Sequence, residues 1–476
     1  MKNNNYNIVL LRRDLRLEDN PALDAATQEG DPILLVYIMD EVLLKLGVKS
    51  SHFTYLALRR ISNVCSGKLI FKVGKTSDVL SQLCKDNLVK SIFVNWHSDP
   101  YLIKSLRFKN EGLLSRLAVC KDAFVNENAV HSKRKCHYQV FSWYYRKIVK
   151  TDAFNIPIPF NKNILKKIAK VGGDFDRLDV LKSDRFDEDD LILQTAENPV
   201  EALADWIDKS LSSYGQEFNN VCKDVTSLLS SCIAQGLISK RIIVAHLKVE
   251  VQKAEELLSK GKGSHNLRFK GAERMIRNLV WNEFAHYYAK YYPEMSGQSL
   301  CPPSSAPKLC VEKLTKWKSG NTGVSIVDAA MKILVNTGYI HNKLRLVAAS
   351  YFVNILNLPW QYGAKFFEKH LVDADRSVNS FNWQWVALTL PNSQTREKRK
   401  ITNFEAQQKK LDPTKQAFFL TDIYETGLSE CKAKSLKTDI EFQEDPQCTS
   451  ESFFSDWELK EMGLTRESLK KSKLKK

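Results

Sequence analysis

Several features are missing from this 476-residue chain, and each absence removes a class of function. No run of about 18 apolar residues could span a bilayer, and no apolar stretch follows a basic start as in a secretory leader. Ten cysteines are scattered without a single Cys-x-x-Cys pair, and only Cys431 and Cys448 lie in the last quarter. That spacing argues against zinc and four-cysteine iron–sulfur sites, and it predicts reduced thiols in a cytoplasmic protein that holds no metal. No Gly-x-Gly-x-x-Gly follows the first apolar run and no Walker loop occurs, so both common nucleotide fingerprints are absent. No internal repeat is visible.

What is present is an ordinary globular composition, 43% apolar and 26% charged, carrying an unusual net charge of +16. Such an excess of Lys and Arg suits a polyanionic partner, because neutralising phosphates releases counterions. A proteome that is basic throughout would give the same excess.

The first 150 residues alternate short apolar runs (Ile8–Leu11, Ile33–Met39, Leu69–Val73 and Ser91–Val94) with more polar periodic stretches. This alternation predicts an α/β domain over 1–150, a parallel sheet doubly wound with helices. A charged connector over 151–200, with Gly172-Gly173 and repeated Asp, leads to a helical domain over 201–476. Residues 271–295 read as a helix, with Ile276, Leu279, Val280 and Phe284 on its apolar ridge. A second helix runs from His341 to about Leu356, and the Lys-rich end reads as a solvated tail.

Seven segments, in order and over nearly the whole chain, carry a resemblance. They are Leu11 to Leu23 (LRRDLRLEDNPAL), Tyr214 with Thr226-Ser227-Leu228-Leu229-Ser230, and Trp281-Asn282-Glu283-Phe284. Thr322-Gly323 with Ile326 to Met331, His341-Asn342-Lys343-Leu344-Arg345, Asp373-Ala374-Asp375 with Asn379, and Trp383-Gln384-Trp385 complete the series. Together they resemble the photolyase/cryptochrome family, most closely cyclobutane pyrimidine dimer photolyases of class I type. The resemblance implies an all-α domain that holds FAD and a partner that is DNA containing pyrimidine dimers. It also implies a monomer with no membrane association, and the cysteine spacing leaves out the family's iron–sulfur branch.

Carried over residue by residue, the resemblance implies FAD contacts at Tyr214, Thr226, Ser227, Leu228, Ser230, Asn342, Arg345, Asp373, Asp375 and Asn379. Thr226 and Ser227 precede an apolar helical run, where capping hydroxyls belong; without the resemblance, a plain N-cap is the better explanation of the pair. Asn342 and Arg345, three apart, share a helix face. In the family Arg345 would pair with Asp373 along the flavin, while the Asn379 amide would accept the proton of flavin N5. Trp383, Trp360 and Trp317 match the electron relay, in that order from the flavin to the surface. Trp385 would point away from Trp383, because residues two apart on a helix face nearly opposite sides. It would line the lesion pocket with Asn278 and Trp281, since the dimer must leave the stack before chemistry reaches it. Lys343, Arg277, Arg241 and Gln407 are expected contacts to the lesion or the DNA backbone.

The stretch His341 to Leu346 lacks the later histidines of the (6-4) branch, so the resemblance implies that excited, reduced FAD splits cyclobutane dimers by electron donation. Several positions depart from the pattern. Asn278 stands for the usual Glu, Asn282 for an Arg on the flavin phosphate side, and Phe218 for an Arg that contacts DNA. Leu388-Thr389-Leu390-Pro391-Asn392 replaces a glycine-rich turn, which predicts a turn of a different build. Ile401 to Phe404 and Gln407 to Pro413 match the closing motif only loosely. Around Trp96-His97-Ser98-Asp99-Pro100-Tyr101 the folate motif is replaced, so the residues favour neither a folate nor a deazaflavin as a second, antenna chromophore. The competing readings are a cryptochrome-type blue-light sensor and a degenerate DNA-binding flavoprotein without turnover.

Overall fold

The computed structural model describes residues 5–40, 47–106, 108, 110–130, 137–171, 176–183, 186, 190–221, 225–260, 266–391 and 411. Five parallel strands, β1 (Tyr6–Leu11), β2 (Ile33–Met39), β3 (Ile70–Val73), β4 (Val89–Asn95) and β5 (Leu117–Cys120), are ordered β3-β2-β1-β4-β5. The crossovers are α1 (Pro21–Gln28), α2 (Val48–Val64), α3 (Thr76–Asp86) and the short pair α4 (Pro100–Ser105) and α5 (Glu111–Leu114). All seven residues of β2 are buried, as a parallel strand covered on both faces requires. Ile8 pairs with Leu34 and Leu10 with Val36, and one face of this ladder packs on Leu80 and Leu83 of α3. Each such side chain contributes roughly 1.5–3 kcal/mol when buried. The fifth strand was not among the expected runs; it is a half-exposed edge strand of only four residues, Leu117-Ala118-Val119-Cys120.

Helices follow the sheet: α6 (Phe141–Thr151), α7 (Asn163–Lys167), α8 (Leu191–Gln194), α9 (Pro199–Glu217), α10 (Ser230–Gln235), α11 (Lys240–Ser259) and α12 (Asn266–Tyr291). They continue through α13 (Val311–Lys318), α14 (Ser325–Thr337), α15 (Asn342–Ser350), α16 (Trp360–His370) and α17 (Arg376–Ala387). The expected helix over 341–356 is α15 followed by a π-helical turn, Tyr351–Ile355. The predicted class, a parallel α/β domain followed by a helical region, is the observed one. Among the described residues no helix is long and apolar enough to cross a membrane.

The chain divides into two compact units. The first takes the described residues up to 218, together with 225–286 and 369–374; the second takes 219–221, 287–368, 375–391 and 411. Much of the Leu11 to Leu23 segment is a polar lock inside the first unit. The Asp14 carboxylate accepts from Arg12 N and from Asn95 Nδ2, both at 2.6 Å. Asn95 Nδ2 also donates to Asn20 Oδ1, which caps α1 by accepting from Leu23 N. Burial pushes the Asp14 carboxyl up, against the pull of these donors and of Arg16. Asp19 accepts from Arg241 Nε at 2.9 Å, and Asp122 accepts from Arg241 at 2.8 Å and from Arg16 at 2.6 Å.

Candidate functional site

The first unit brings α9 against α12 through two glycines. A Cβ on Gly215 would lie 2.5 Å from the Leu267 carbonyl oxygen, and one on Gly271 only 2.1 Å from that of Leu211. Hydrogen at both positions lets the two backbones touch, and polar side chains then meet alongside. Tyr214 is buried and its hydroxyl accepts from Asn278 Nδ2 at 2.7 Å, joining an expected flavin residue to an expected lesion residue. Burial pushes the Tyr214 phenol up, partly offset by the Asn278 hydrogen bond and the Arg274 charge. Trp206 packs edge-on against Tyr214 and donates its indole N–H to the Val225 carbonyl at 2.9 Å, fixing the chain just before Thr226.

The capping expectation for Thr226 and Ser227 needs correction. Helix α10 begins at Ser230, its N-cap is Leu229, and no side chain caps it. Leu228 adopts a left-handed φ of 52°, which turns the chain and delays the helix beyond the two hydroxyls. Ser227 Oγ reaches only Leu229 N, at 3.5 Å. Among the described residues Ser230 Oγ and Ser231 Oγ are buried without a hydrogen-bond partner, so this turn presents orphaned hydroxyls, as an oxygen-rich group such as a flavin phosphate requires.

On α12 the ridge of Ile276, Leu279, Val280 and Phe284 is buried, while Asn278 is exposed and Trp281 half-buried. Trp281 meets Phe141 edge-on, with centroids 4.8 Å apart. Asn282 accepts from Lys240 Nζ at 2.9 Å, and the same ammonium lies 2.5 Å from Glu283. Burial favours the protonated Glu283, but Lys240 and His286 outweigh it and hold the carboxyl low. Arg277 is exposed, stacked over Phe141 and Tyr145. Arg241 is not a surface contact for DNA as expected: it is 5% exposed and engaged by Asp19 and Asp122.

In the second unit Asn342 stands exposed at the start of α15, and His341 Nδ1 caps the helix by accepting from Lys343 N. Arg345 donates from Nε to the Ile340 carbonyl at 2.9 Å; Asp373 belongs to the first unit and is buried. Asp375 caps α17 by accepting from Val378 N at 3.0 Å. Asn379 Nδ2 donates to the Ala364 carbonyl at 2.8 Å. A carbonyl can only accept, so the amide orientation is determined and Oδ1 remains as a free acceptor among the described residues. Thr322-Gly323 has a structural task, since its two backbone N–H groups donate to Asp328 at 2.7 and 3.0 Å.

Trp383 is 2% exposed and Trp385 42% exposed, the opposite sides that their spacing on α17 demands. Between them Gln384, a residue the sequence reading passed over, is wholly buried. It donates to the carbonyls of Met295 and Gln298 at 2.7 and 2.8 Å and accepts from Leu300 N at 3.0 Å. The same segment supplies Ser299, which accepts from the Trp360 indole at 2.9 Å. The turn after α17 also differs from expectation. Leu388 itself takes the left-handed conformation, at φ 58°, in place of a glycine.

Trp317 was expected at the surface and is instead 0% exposed. Its indole donates to the Ala348 carbonyl at 3.1 Å, and its ring lies 6.1 Å from that of Trp383 in an edge-on contact. Phe352 and Phe367 pack on the same Trp383 ring at 5.5 and 5.2 Å. Gln407 and the segments around it lie outside the described residues.

A separate, shallow cleft opens in the first unit beyond the carboxyl ends of β1 and β2, where open α/β sheets take ligands. Arg12, Arg13, Tyr37, Asp40, Thr76 and Tyr101 are among its walls. Burial pushes the Tyr37 phenol up to about 12 and lowers the Arg12 guanidinium to about 10, and among the described residues Arg12 Nε is buried without a partner.

Comparison with known proteins gives the same answer over most of the chain. Residues 7–161 match the family described as DNA photolyase, and residues 275–448 match the FAD binding domain of DNA photolyase. A deoxyribodipyrimidine photo-lyase of Agrobacterium fabrum is 28% identical over 396 residues, covering 80% of this chain and 79% of that protein. A cryptochrome DASH of Idiomarina loihiensis is also 28% identical, covering 85% of this chain and 90% of its own length. The crystal structure of a bacterial class III photolyase from Agrobacterium tumefaciens superposes with a TM-score of 0.74 at 25% identity, over 88% of this chain and 86% of that one. The chain therefore belongs to the photolyase/cryptochrome family and carries that family's FAD-binding domain.

Proposed function

We propose that the protein is a cyclobutane pyrimidine dimer photolyase that acts on DNA. The observation that carries this reading is the division of labour on α17. One helix buries Trp383 among aromatic rings and exposes Trp385 two residues later, as separate duties in electron transfer and lesion contact require. Bound in its reduced form, FAD would supply a light-driven electron to the dimer.

The chain's own residues bind and orient. Tyr214, Thr226, Ser227, Leu228 and Ser230 hold the phosphate end, where the orphaned Ser230 hydroxyl supports the assignment. Asn342, Arg345, Asp373 and Asp375 hold the ring system, and Asn379 Oδ1 takes the hydrogen bond from flavin N5–H. Trp281, Asn278, Lys343, Trp385 and Gln407 receive the extruded dimer. Phe352 and Phe367 exclude water from Trp383. Trp317, buried against Trp383, serves as an inner relay member with Trp360 rather than as the surface end. The domains of this reading are 1–150 for an antenna chromophore, a folate or a deazaflavin in the cleft near Arg12, then a connector over 151–200 and the catalytic domain over 201–476.

The test is blue-light repair of a thymine-dimer oligonucleotide by the purified protein under reducing, anaerobic conditions, with flavin content read on the same sample. Light-dependent dimer loss is the expected result. A flavin-loaded protein without repair would overturn the reading in favour of a cryptochrome-type sensor or a binder without turnover.

A further inference from the structure

Arg274 extends by one turn the α12 face that carries Asn278, Trp281 and Asn282. Spacings of four, seven and eight residues place these side chains on one side of the helix. Tyr214 and Phe218 are likewise four apart at the end of α9. The two helices therefore form two successive rungs beside the Gly215–Gly271 contact. The first is the hydrogen bond from Asn278 to Tyr214, and the second is Arg274 stacked on Phe218, its guanidinium carbon 3.2 Å from the ring centroid.

The state of this guanidinium is unusual. No hydrogen bond or ion pair among the described residues engages it, and Nε is buried with no partner. Lys240, the cation that reaches Asn282, is by contrast neutralised by Glu283. Stacking on an aromatic ring uses the face of the guanidinium and leaves its in-plane N–H donors unspent. A planar fork with full charge, held by a ring and facing no carboxylate among the described residues, matches two oxygens of a phosphate.

We propose that Arg274 is a phosphate-binding residue, presented by Phe218 to a phosphate of the DNA backbone or of the FAD pyrophosphate. The positive charge that the family places on α9 is thereby moved to α12, and Phe218 becomes its support. This inference rests on the photolyase reading above, and its test separates the two.

The experiment uses the full-length, FAD-loaded protein and its Arg274→Gln and Arg274→Lys variants. Affinity for a thymine-dimer duplex is measured across a salt series, and FAD retention on the same samples. If the phosphate is DNA's, Arg274→Gln weakens binding roughly fivefold and flattens the slope of log K against log salt by about 0.9, with flavin content unchanged. Arg274→Lys keeps the slope. If the phosphate is FAD's, Arg274→Gln loses flavin and the salt slope stays as it was. Should Gln at 274 fail to fold, Phe218→Leu removes the support while leaving the charge, and it lowers the same affinity or flavin retention. A wild type that binds both ligands and a glutamine variant that binds both equally well overturn the inference alone. A wild type that binds neither overturns the photolyase reading together with it.

Discussion

A methyl group on Gly363 would sit 2.2 Å from Cη2 of Trp383, closer than any side chain can approach an indole. The absence of a Cβ on α16 is thus what gives Trp383 its place on α17. Gly363→Ala should force the ring aside, costing about 1–3 kcal/mol of stability and slowing photoreduction of oxidised FAD. Trp383→Phe should also slow photoreduction while flavin stays bound. Thermal melting and illumination kinetics check both, and unchanged kinetics in Trp383→Phe would remove this tryptophan from the relay.

Leu388 holds a backbone conformation that suits glycine. Leu388→Gly should therefore stabilise the protein by roughly 0.5–1 kcal/mol, the relief of left-handed strain exceeding the lost side-chain contacts. Leu388→Val, branched at Cβ, should destabilise it by about 1–2 kcal/mol. Urea midpoints of the two variants should fall on opposite sides of the wild type; a destabilised glycine variant would show that the leucine side chain outweighs the strain.

Arg345 is among the residues proposed to hold the flavin ring. Arg345→Ala should weaken FAD retention about tenfold to a hundredfold, the magnitude of a lost charged hydrogen bond. Flavin absorbance per chain after dialysis measures it. A variant that leaves dialysis fully loaded contradicts the assignment.

Asp122 sets an acid limit on stability. Burial favours its protonated form, but Arg16 and Arg241 outweigh that and hold the carboxyl below the usual aspartate range. Since the folded value lies below the unfolded one of about 3.9, the stabilisation is complete above that pH and disappears as pH falls through the folded value. Asp122→Asn should lose about 3–5 kcal/mol at neutral pH, where the wild type is fully paired. Below pH about 4 the wild type should converge on the variant. Parallel acid profiles for the two proteins would exclude this aspartate as the cause.

How much of this was legible in the sequence depended on whether the relevant partner was local. Strands β1 to β4 were visible because each carries buried apolar residues in a run, most fully in β2, whereas Leu117–Cys120 is apolar but only four residues long and half-exposed at the sheet edge. The opposite fates of Trp383 and Trp385 follow from helical spacing alone. The capping assignment at Thr226 and Ser227 failed because nothing in a leucine announces a positive φ at position 228. Arg241 looked like any surface cation, since its carboxylates lie 222 and 119 residues away. Trp317 was placed at the surface by the family's relay order, which carries no sign of its packing on Phe352 and Phe367, and Gln384 was passed over because its partners lie more than 80 residues upstream.

The cluster around Arg241 also bears on the order in which a ribosome would finish this protein. Asp122 leaves the exit tunnel well before Arg241, which is 119 residues further along. At about 5–20 residues per second the delay is roughly 6–24 s. During that interval the nascent sheet holds two carboxylates, Asp19 and Asp122, whose shared guanidinium has not yet emerged. The first 150 residues are thus a half-neutralised intermediate during synthesis, completed only when α11 arrives.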